Sequence, residues 1–272
     1  MSRPDIKNPH LDTLRAMPSL TQPWATLIAG AAVLMSAIIA ASVAAYSRRQ
    51  TEKHFQASHS LGVMGAFRDR YTTAAEQLAH ESAAIRLAGV YALAALADDW
   101  AQNGNENESQ VCVDLLRAYL RTAQSGSAER RTSTAGEPDP TIDEGELEVR
   151  KTIVMTINGR RILASSDPRS WVSLDCSLAR ADLRNLNLGQ QDFKGVTLKG
   201  ANLSSAKLAD SDLTNADLSG ADLTGAFLLG AILYRADLSF ARLNNATLIS
   251  ANLNSAEMDF ATLRGAHLGA PT

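Results

Sequence analysis

Large apolar residues recur at every fifth position from Leu178 to Leu268 without a slip, nineteen centres in one register. Phe193 and Met258 stand in for leucine within that run. Two residues before each centre the side chain is mostly small, and it is alanine at every step from Ala216 to Ala266. Two residues after it come turn formers such as Gly200, Asp210, Asn215, Gly220 and Asn245. A helix would carry such centres around its whole surface, because each residue advances about 100°. A flat strand would flip each centre to the opposite face, because its side-chain period is two. A unit of five that returns its leucine inward must contain its own turn, and Gly, Asn, Asp and Ser supply the backbone freedom for one. The pattern therefore predicts a solenoid whose short straight sides stack coil on coil.

Upstream the pattern changes to helical spacing. Phe67, Tyr71, Ala74 and Leu78 predict one helix; Ile85, Ala88, Tyr91, Ala92, Ala95 and Leu96 predict a second, after a Ser82 placed to cap it. Asn103-Gly104-Asn105 interrupts, and Val111, Leu115, Leu116, Tyr119 and Leu120 predict a third. The polar stretch 123–141 reads as a flexible loop. Leu147, Ile153, Val154 and Ile157 predict a fourth helix. This region spans 66–160, a connector or cap spans 161–175, and the repeats occupy 176–272.

Trp24 to Tyr46 carries no charged residue. As a helix these residues would span about 34 Å, enough for a bilayer core. Aromatic residues stand at both ends, and Arg48, Arg49 and Lys53 follow at once. Residues 1–23 then form an N-terminal tail, 24–46 a single transmembrane helix and 47–65 a juxtamembrane segment. The positive-inside rule places the tail outside and the body in the cytoplasm, on an inner membrane. The rival reading is an exported protein with a cleaved signal peptide, Ser42-Val43-Ala44 serving as the cleavage site. The apolar stretch is long for that reading.

Ala181-Asp182-Leu183, Ala201-Asn202-Leu203, Ala216-Asp217-Leu218, Ala221-Asp222-Leu223, Ala236-Asp237-Leu238 and Ala251-Asn252-Leu253 resemble the pentapeptide-repeat family, written A(D/N)LXX. The resemblance implies a right-handed quadrilateral β-helix with four pentapeptides per coil. Leu186, Gln191, Val196 and Ser211 depart from the small position and are expected to widen or strain the early coils. The segments Arg70 to Leu78, Val90 to Leu93 and Leu115 to Leu120 are similar to the helical region of membrane-anchored bacterial members. That region resembles a short HEAT/armadillo-like bundle.

The formal net charge of the chain is −3, which points to no nucleic-acid partner. Some soluble family members bind DNA gyrase as DNA mimics and confer quinolone resistance. From Cys176 onward nine acids face eight bases, so the potential of a duplex is absent and that alternative is disfavoured. His54 and His59 are five apart, poor spacing for two ligands on one helical face, and Cys112 and Cys176 have no metal-type spacing. No phosphate loop or nucleophile–base pattern occurs, so neither enzyme activity, cofactor, metal nor small-molecule substrate is expected. Asp182, Asp212, Asp217, Asp222 and Asp237 read as outward residues before each centre. Arg86, Arg117 and Arg121 read as solvated helix surface, paired with Glu81 and Asp114.

With four units per coil, residues twenty apart stack. Phe240 then lies over Phe260 and Leu229 over Ile249, with Phe227, Ile232 and Tyr234 nearby. These seven form the candidate interface, read as one contiguous apolar patch in the late coils. The expected function is a membrane-tethered protein-interaction scaffold with a protein partner or a second copy. An uncapped solenoid end would expose strand edges and favour an end-to-end homodimer.

Overall fold

The computed structural model describes residues 42, 46–48, 65–129 and 143–269. The chain divides into two compact units, Met1–Gly65 and Ala66–Thr272. The apolar segment 24–46 lies outside the described residues except for helical positions at 42 and 46. Among the described residues no helix is long and apolar enough to cross a membrane.

Among the described residues from 65 onward, four helices precede the repeats: α1 (residues 65–78), α2 (Ala83–Gln102), α3 (Glu106–Glu129) and α4 (Glu144–Arg161). α2 packs against both α3 and α4. Phe67 of α1 stacks on Trp100 of α2 at 4.1 Å between centroids. A Cβ on Gly89 would meet the Leu78 amide nitrogen at 2.6 Å and the Ala74 oxygen at 2.9 Å, so glycine is what permits α1 and α2 to approach here. α2 ends at Asn103, followed by Gly104 with φ of 72°.

The face assigned to α2 from spacing is wrong for most of its residues. Ile85, Ala88, Tyr91 and Ala95 are exposed, Ala92 is half-buried and only Leu96 is buried; the rest of the buried face is Val90, Leu93, Ala94, Ala97 and Trp100. Ala and Leu lie all round this helix, so the pattern has no clear period to read. Ser82 occupies the N-cap position but its side chain makes no capping bond. On α3, Val111 faces out and Cys112 and Val113 face in. α3 also runs on to Glu129, into the stretch read as loop; residues 130–142 lie outside the description.

From Asp182 to Thr247 every repeat contributes one isolated parallel bridge to the residue twenty positions on. Four pentapeptides therefore make one coil. Four sides result: a first through Asp182, Asn202, Asp222, Arg242 and Thr262; a second through Asn187, Lys207, Phe227, Thr247 and His267; a third through Asp192, Asp212, Ile232 and Asn252; a fourth through Thr197, Asp217, Asp237 and Glu257. The ladder has three recurring bonds, one of them from the corner residue two after each centre to a carbonyl nineteen residues later, as Gly200 to Ser219 at 2.9 Å. Each centre N–H from Leu178 to Leu248 donates to a carbonyl nineteen residues later, as Leu203 to Asp222 at 2.7 Å. Each preceding N–H donates to a carbonyl twenty-one residues earlier, as Asn202 to Ala181 at 2.9 Å. The centres from Leu178 to Leu248 are buried, with the small residues between them. Each such leucine contributes about 1.5–3 kcal/mol of burial.

Corners use a left-handed residue two after each centre, such as Gly200 at φ 62° and Asn215 at φ 56°. The Asp or Asn before the centre accepts the N–H two residues on, as Asp217 from Ser219 at 3.0 Å and Asp222 from Thr224 at 3.1 Å, so it closes the corner as an Asx turn. Strain at the departures falls on the turn bond, not the ladder. The Leu186 N–H reaches Leu183 at 3.4 Å and that of Ser211 reaches Leu208 at 3.2 Å, whereas the Leu186 and Val196 carbonyls accept ladder bonds from Lys207 and Asp217 at 2.8 and 3.0 Å.

Candidate interaction surface

The early end of the solenoid is built into the helices. In mid-ladder the carbonyls of Asp212, Thr214 and Asp217 accept N–H groups from the coil before. Their first-coil equivalents are Asp192, Lys194 and Ser177, which have no coil before them. Arg161 of α4 donates to the Asp192 and Lys194 oxygens at 3.1 and 2.9 Å, and Arg117 of α3 donates to the Ser177 oxygen at 2.7 Å. The Asp182 N–H finds the Leu120 oxygen of α3 at 2.8 Å. Two guanidinium groups and one helix carbonyl thus stand where a preceding coil would stand.

Asp182 is the exception to the reading of the repeat aspartates as outward groups; Asp212, Asp217, Asp222 and Asp237 remain partly exposed. Asp182 is fully buried, accepting Arg184 through two bonds of 2.8 Å. Arg150 lies 3.0 Å away, close enough for an ion pair but not aligned as a hydrogen bond. Burial pushes this carboxyl up; the Arg184 bond and the Arg150 and Arg184 charges outweigh it and hold the group below its ordinary value. Arg150 also binds Glu146 at 2.9 Å, and Glu146 accepts the Tyr119 hydroxyl at 2.7 Å and pairs with Arg86 at 3.2 Å. Arg86 is therefore part of this junction, paired with the Glu146 carboxylate and not that of Glu81. Arg117 does pair with Asp114, at 2.7 Å, and adds Asp175 at 2.9 Å. A second latch joins α2, α4 and the connector: Asp98 accepts Arg160 through both oxygens and the Trp171 indole N–H at 2.8 Å. Spacing gave no sign of these junctions, although the run of Arg150, Arg160 and Arg161 on one helix was a visible signal.

The seven candidate interface residues are all large exposed apolar groups, but they do not form one surface. Phe227 stands on the second side and Leu229 and Ile249 at the corner it shares with the third. Ile232 is on the third side and Tyr234 at the corner beyond it. Phe240 and Phe260 turn the corner between the fourth side and the first, diagonally opposite Leu229. Their rings stack at 5.0 Å and 13°, with 62% and 80% exposure. Both hold φ near 60°, a conformation bulky residues rarely adopt.

Little in the described residues suits covalent chemistry. Cys112 and Cys176 are buried, and burial pushes their thiols up to about 12 and about 11. A shallow depression of about 400 Å³ between α2 and α4 is lined by Tyr91, Glu148, Lys151 and Arg160, the last already held by Asp98. Among the described residues no group of His, Cys, Asp or Glu is arranged to hold a metal ion.

The pentapeptide-repeat family model matches residues 176–215, 201–238, 211–248 and 231–269, with eight copies. The chain is a pentapeptide-repeat protein. The family is generally non-catalytic. Among solved structures the chain is similar to the pentapeptide-repeat protein Rfr23 of the cyanobacterium Cyanothece 51142, at 36% identity over 34% of this chain and 63% of that one, with a TM-score of 0.33. It is similar to HetL, a protein involved in heterocyst differentiation regulation in Nostoc sp. strain PCC 7120, at 32% identity over 33% and 52%, with a TM-score of 0.26. It is also similar to alr5209 of Nostoc PCC 7120, at 30% identity over 32% and 83%, with a TM-score of 0.18. The chain thus spans less than two thirds of the first two of these relatives. No curated protein matches it.

Proposed function

We propose that this pentapeptide-repeat protein is a membrane-tethered, non-enzymatic scaffold that binds protein through the outer surface of its late coils. The observation that carries the proposal is the contrast along the rod. The early coils show Lys, Asp, Ser and Asn outward, whereas the third and fourth coils turn Leu229, Ile232, Tyr234, Phe240 and Ile249 to solvent. The helices occupy the early end, so the late coils are the part left to meet a partner. The uncharged segment 24–46 supplies the tether, on an inner bacterial membrane with the solenoid on the cytoplasmic side.

Self-association has separate support at the late edge. The N–H groups of Leu253, Met258 and Leu263 and the carbonyls of Ala251, Ala256 and Ala261 have no partner among the described residues. Each side offers one N–H and one carbonyl two residues apart. A second copy related by a twofold axis across the rod satisfies both at once, in the antiparallel manner.

Crosslinking from intact membranes, with and without residues 176–272, tests the reading. Capture that needs the repeats and chain that resists carbonate extraction are expected. Capture unaffected by removing the repeats, or release of the chain by carbonate, would overturn the scaffold and the tether respectively.

A further inference from the structure

The third side of the solenoid carries a band that differs from the rest of the surface. Leu229 and Ile249 stand at one corner, Ile232 midway and Tyr234 at the other corner, each 38–47% exposed. Gly230, at φ 64°, completes the first corner, and a Cβ there would collide with the Asp210 carboxylate of the coil below. Glycine therefore keeps the band low between Leu229 and Ile232 and leaves the Asp210 oxygen at its rim.

That lower rim is acidic. Asp212 lies directly beneath Ile232 in the ladder, with Asp192 beneath Asp212. Lys194 is shared between them, at 3.0 Å from Asp212 and 3.5 Å from Asp192. No cation pairs with Asp210 among the described residues. Three carboxylates face one ammonium, and the Arg161 guanidinium also lies against Asp192, so the rim is one charge negative and its excess lies at Asp210 and Asp212. The upper rim is neutral, with Asn252 on the ladder and Asn254 at the corner. Arg235 is engaged over the Tyr234 ring at 5.5 Å.

Size decides what fits. The four side chains expose on the order of 300 Å² together, well under the roughly 800 Å² per partner that a stable protein–protein interface buries. The band is too small for a second copy docked side by side. It matches one apolar stripe of a single helix, whose anchors recur at three and four residues. We propose that the third side is a docking site for one amphipathic helix of a protein partner, its apolar stripe on Leu229, Ile232, Tyr234 and Ile249 and a basic edge along Asp210 and Asp212. The proposal rests on the scaffold reading and names the kind of partner that the scaffold holds. Phe240 and Phe260, on the opposite corner, take no part in this contact.

The test uses the full chain in mild detergent and three synthetic helical peptides with one shared leucine stripe and Lys, Gln or Glu on the polar face. Fluorescence anisotropy is expected to rank them Lys, Gln, Glu, with at least tenfold between the extremes. Ile232→Ser with Tyr234→Ser weakens the Lys peptide at least tenfold, and Asp210→Lys with Asp212→Lys reverses the ranking. Phe240→Ser with Phe260→Ser leaves binding unchanged. Since every substituted residue lies outside the inward set, an unchanged melting curve separates lost binding from lost fold. Equal binding of the three peptides overturns the proposal, as does binding that survives loss of Ile232 and Tyr234. A change in oligomeric state on Ile232→Ser, with no peptide bound, also overturns it and assigns the side to a second copy. Peptides bound in the expected order while membrane crosslinking through position 232 captures nothing would sink the scaffold reading and leave the helix site standing.

Discussion

The first and last coils of the solenoid carry the same repeat and are finished in different ways. At the first coil Leu183 and Leu188 are fully buried, and Arg117, Arg161 and the Leu120 carbonyl fill ladder positions that no strand fills. At the last coil Leu253, Met258 and Leu263 are only partly buried, Leu268 is 54% exposed, and the N–H groups of those three centres have no partner among the described residues. A repeat carries its own core and corners but nothing that finishes an edge. An edge is finished by whatever lies next to it, and here the helices were fitted to one edge with arginines.

The contrast can be broken from the core outward. Leu218→Asp places an unpaired charge in the middle of the rod, where nothing at either end can relieve it. It should cost on the order of 5 kcal/mol or more and abolish the cooperative melting transition. A wild-type melting curve would show that the centre does not face inward.

Asp182→Asn attacks the capped end. Arg150 is left buried, and Arg184 half-buried, against a neutral amide, and breaking such a pair costs about 3–5 kcal/mol. The same group makes the cap acid-sensitive. Its carboxyl is held below the ordinary value of 3.8, so its stabilising contribution is complete above that value. The contribution is lost as pH falls through the lower folded value. Denaturant melts between neutral and strongly acidic pH should show this loss in the wild type and not in Asp182→Asn.

Arg161→Ala removes two bonds to first-coil carbonyls and leaves both acceptors open, for about 1.5–3 kcal/mol by chemical denaturation. The smallest effect belongs to the open end. Leu203→Ala, in a fully buried coil, should cost about 2–5 kcal/mol, whereas Leu263→Ala should cost under about 1.5 kcal/mol because its site already meets water. Equal costs in monomeric protein would mean that the late edge is covered.

How much of this was legible depends on range. The five-residue period specified the inward centres and the corners, because each is a relation between a residue and its neighbours at fixed offsets; the stacking of Phe240 on Phe260 needed in addition the four units per coil that the family resemblance implied. Helices α1 and α4 were readable from Phe67 to Leu78 and from Leu147 to Ile157. The face of α2 was not, because Ala88 and Ala94 are indistinguishable to a periodicity argument although one is exposed and the other buried. Asp182 looked like every other repeat aspartate; its pair with Arg184 is local, but Leu120 of α3 and Arg150 of α4 against it come from distant sequence. The candidate interface was named residue by residue, yet its division into a band and an opposite ridge required the four sides to be assigned. A circuit of four corners separates residues that sit ten positions apart in sequence.

Backbone hydrogen exchange, resolved coil by coil in dilute monomeric protein, tests the asymmetry of the two ends most directly. The Asp182 amide, bound to the Leu120 carbonyl, should be protected like Leu203 and Leu223 in the interior. Those of Leu253, Met258 and Leu263 should exchange at nearly the rate of unstructured chain. An Asp182 amide that exchanges as fast as that of Leu263 would contradict the account, since the helices would then not be finishing the first coil at all.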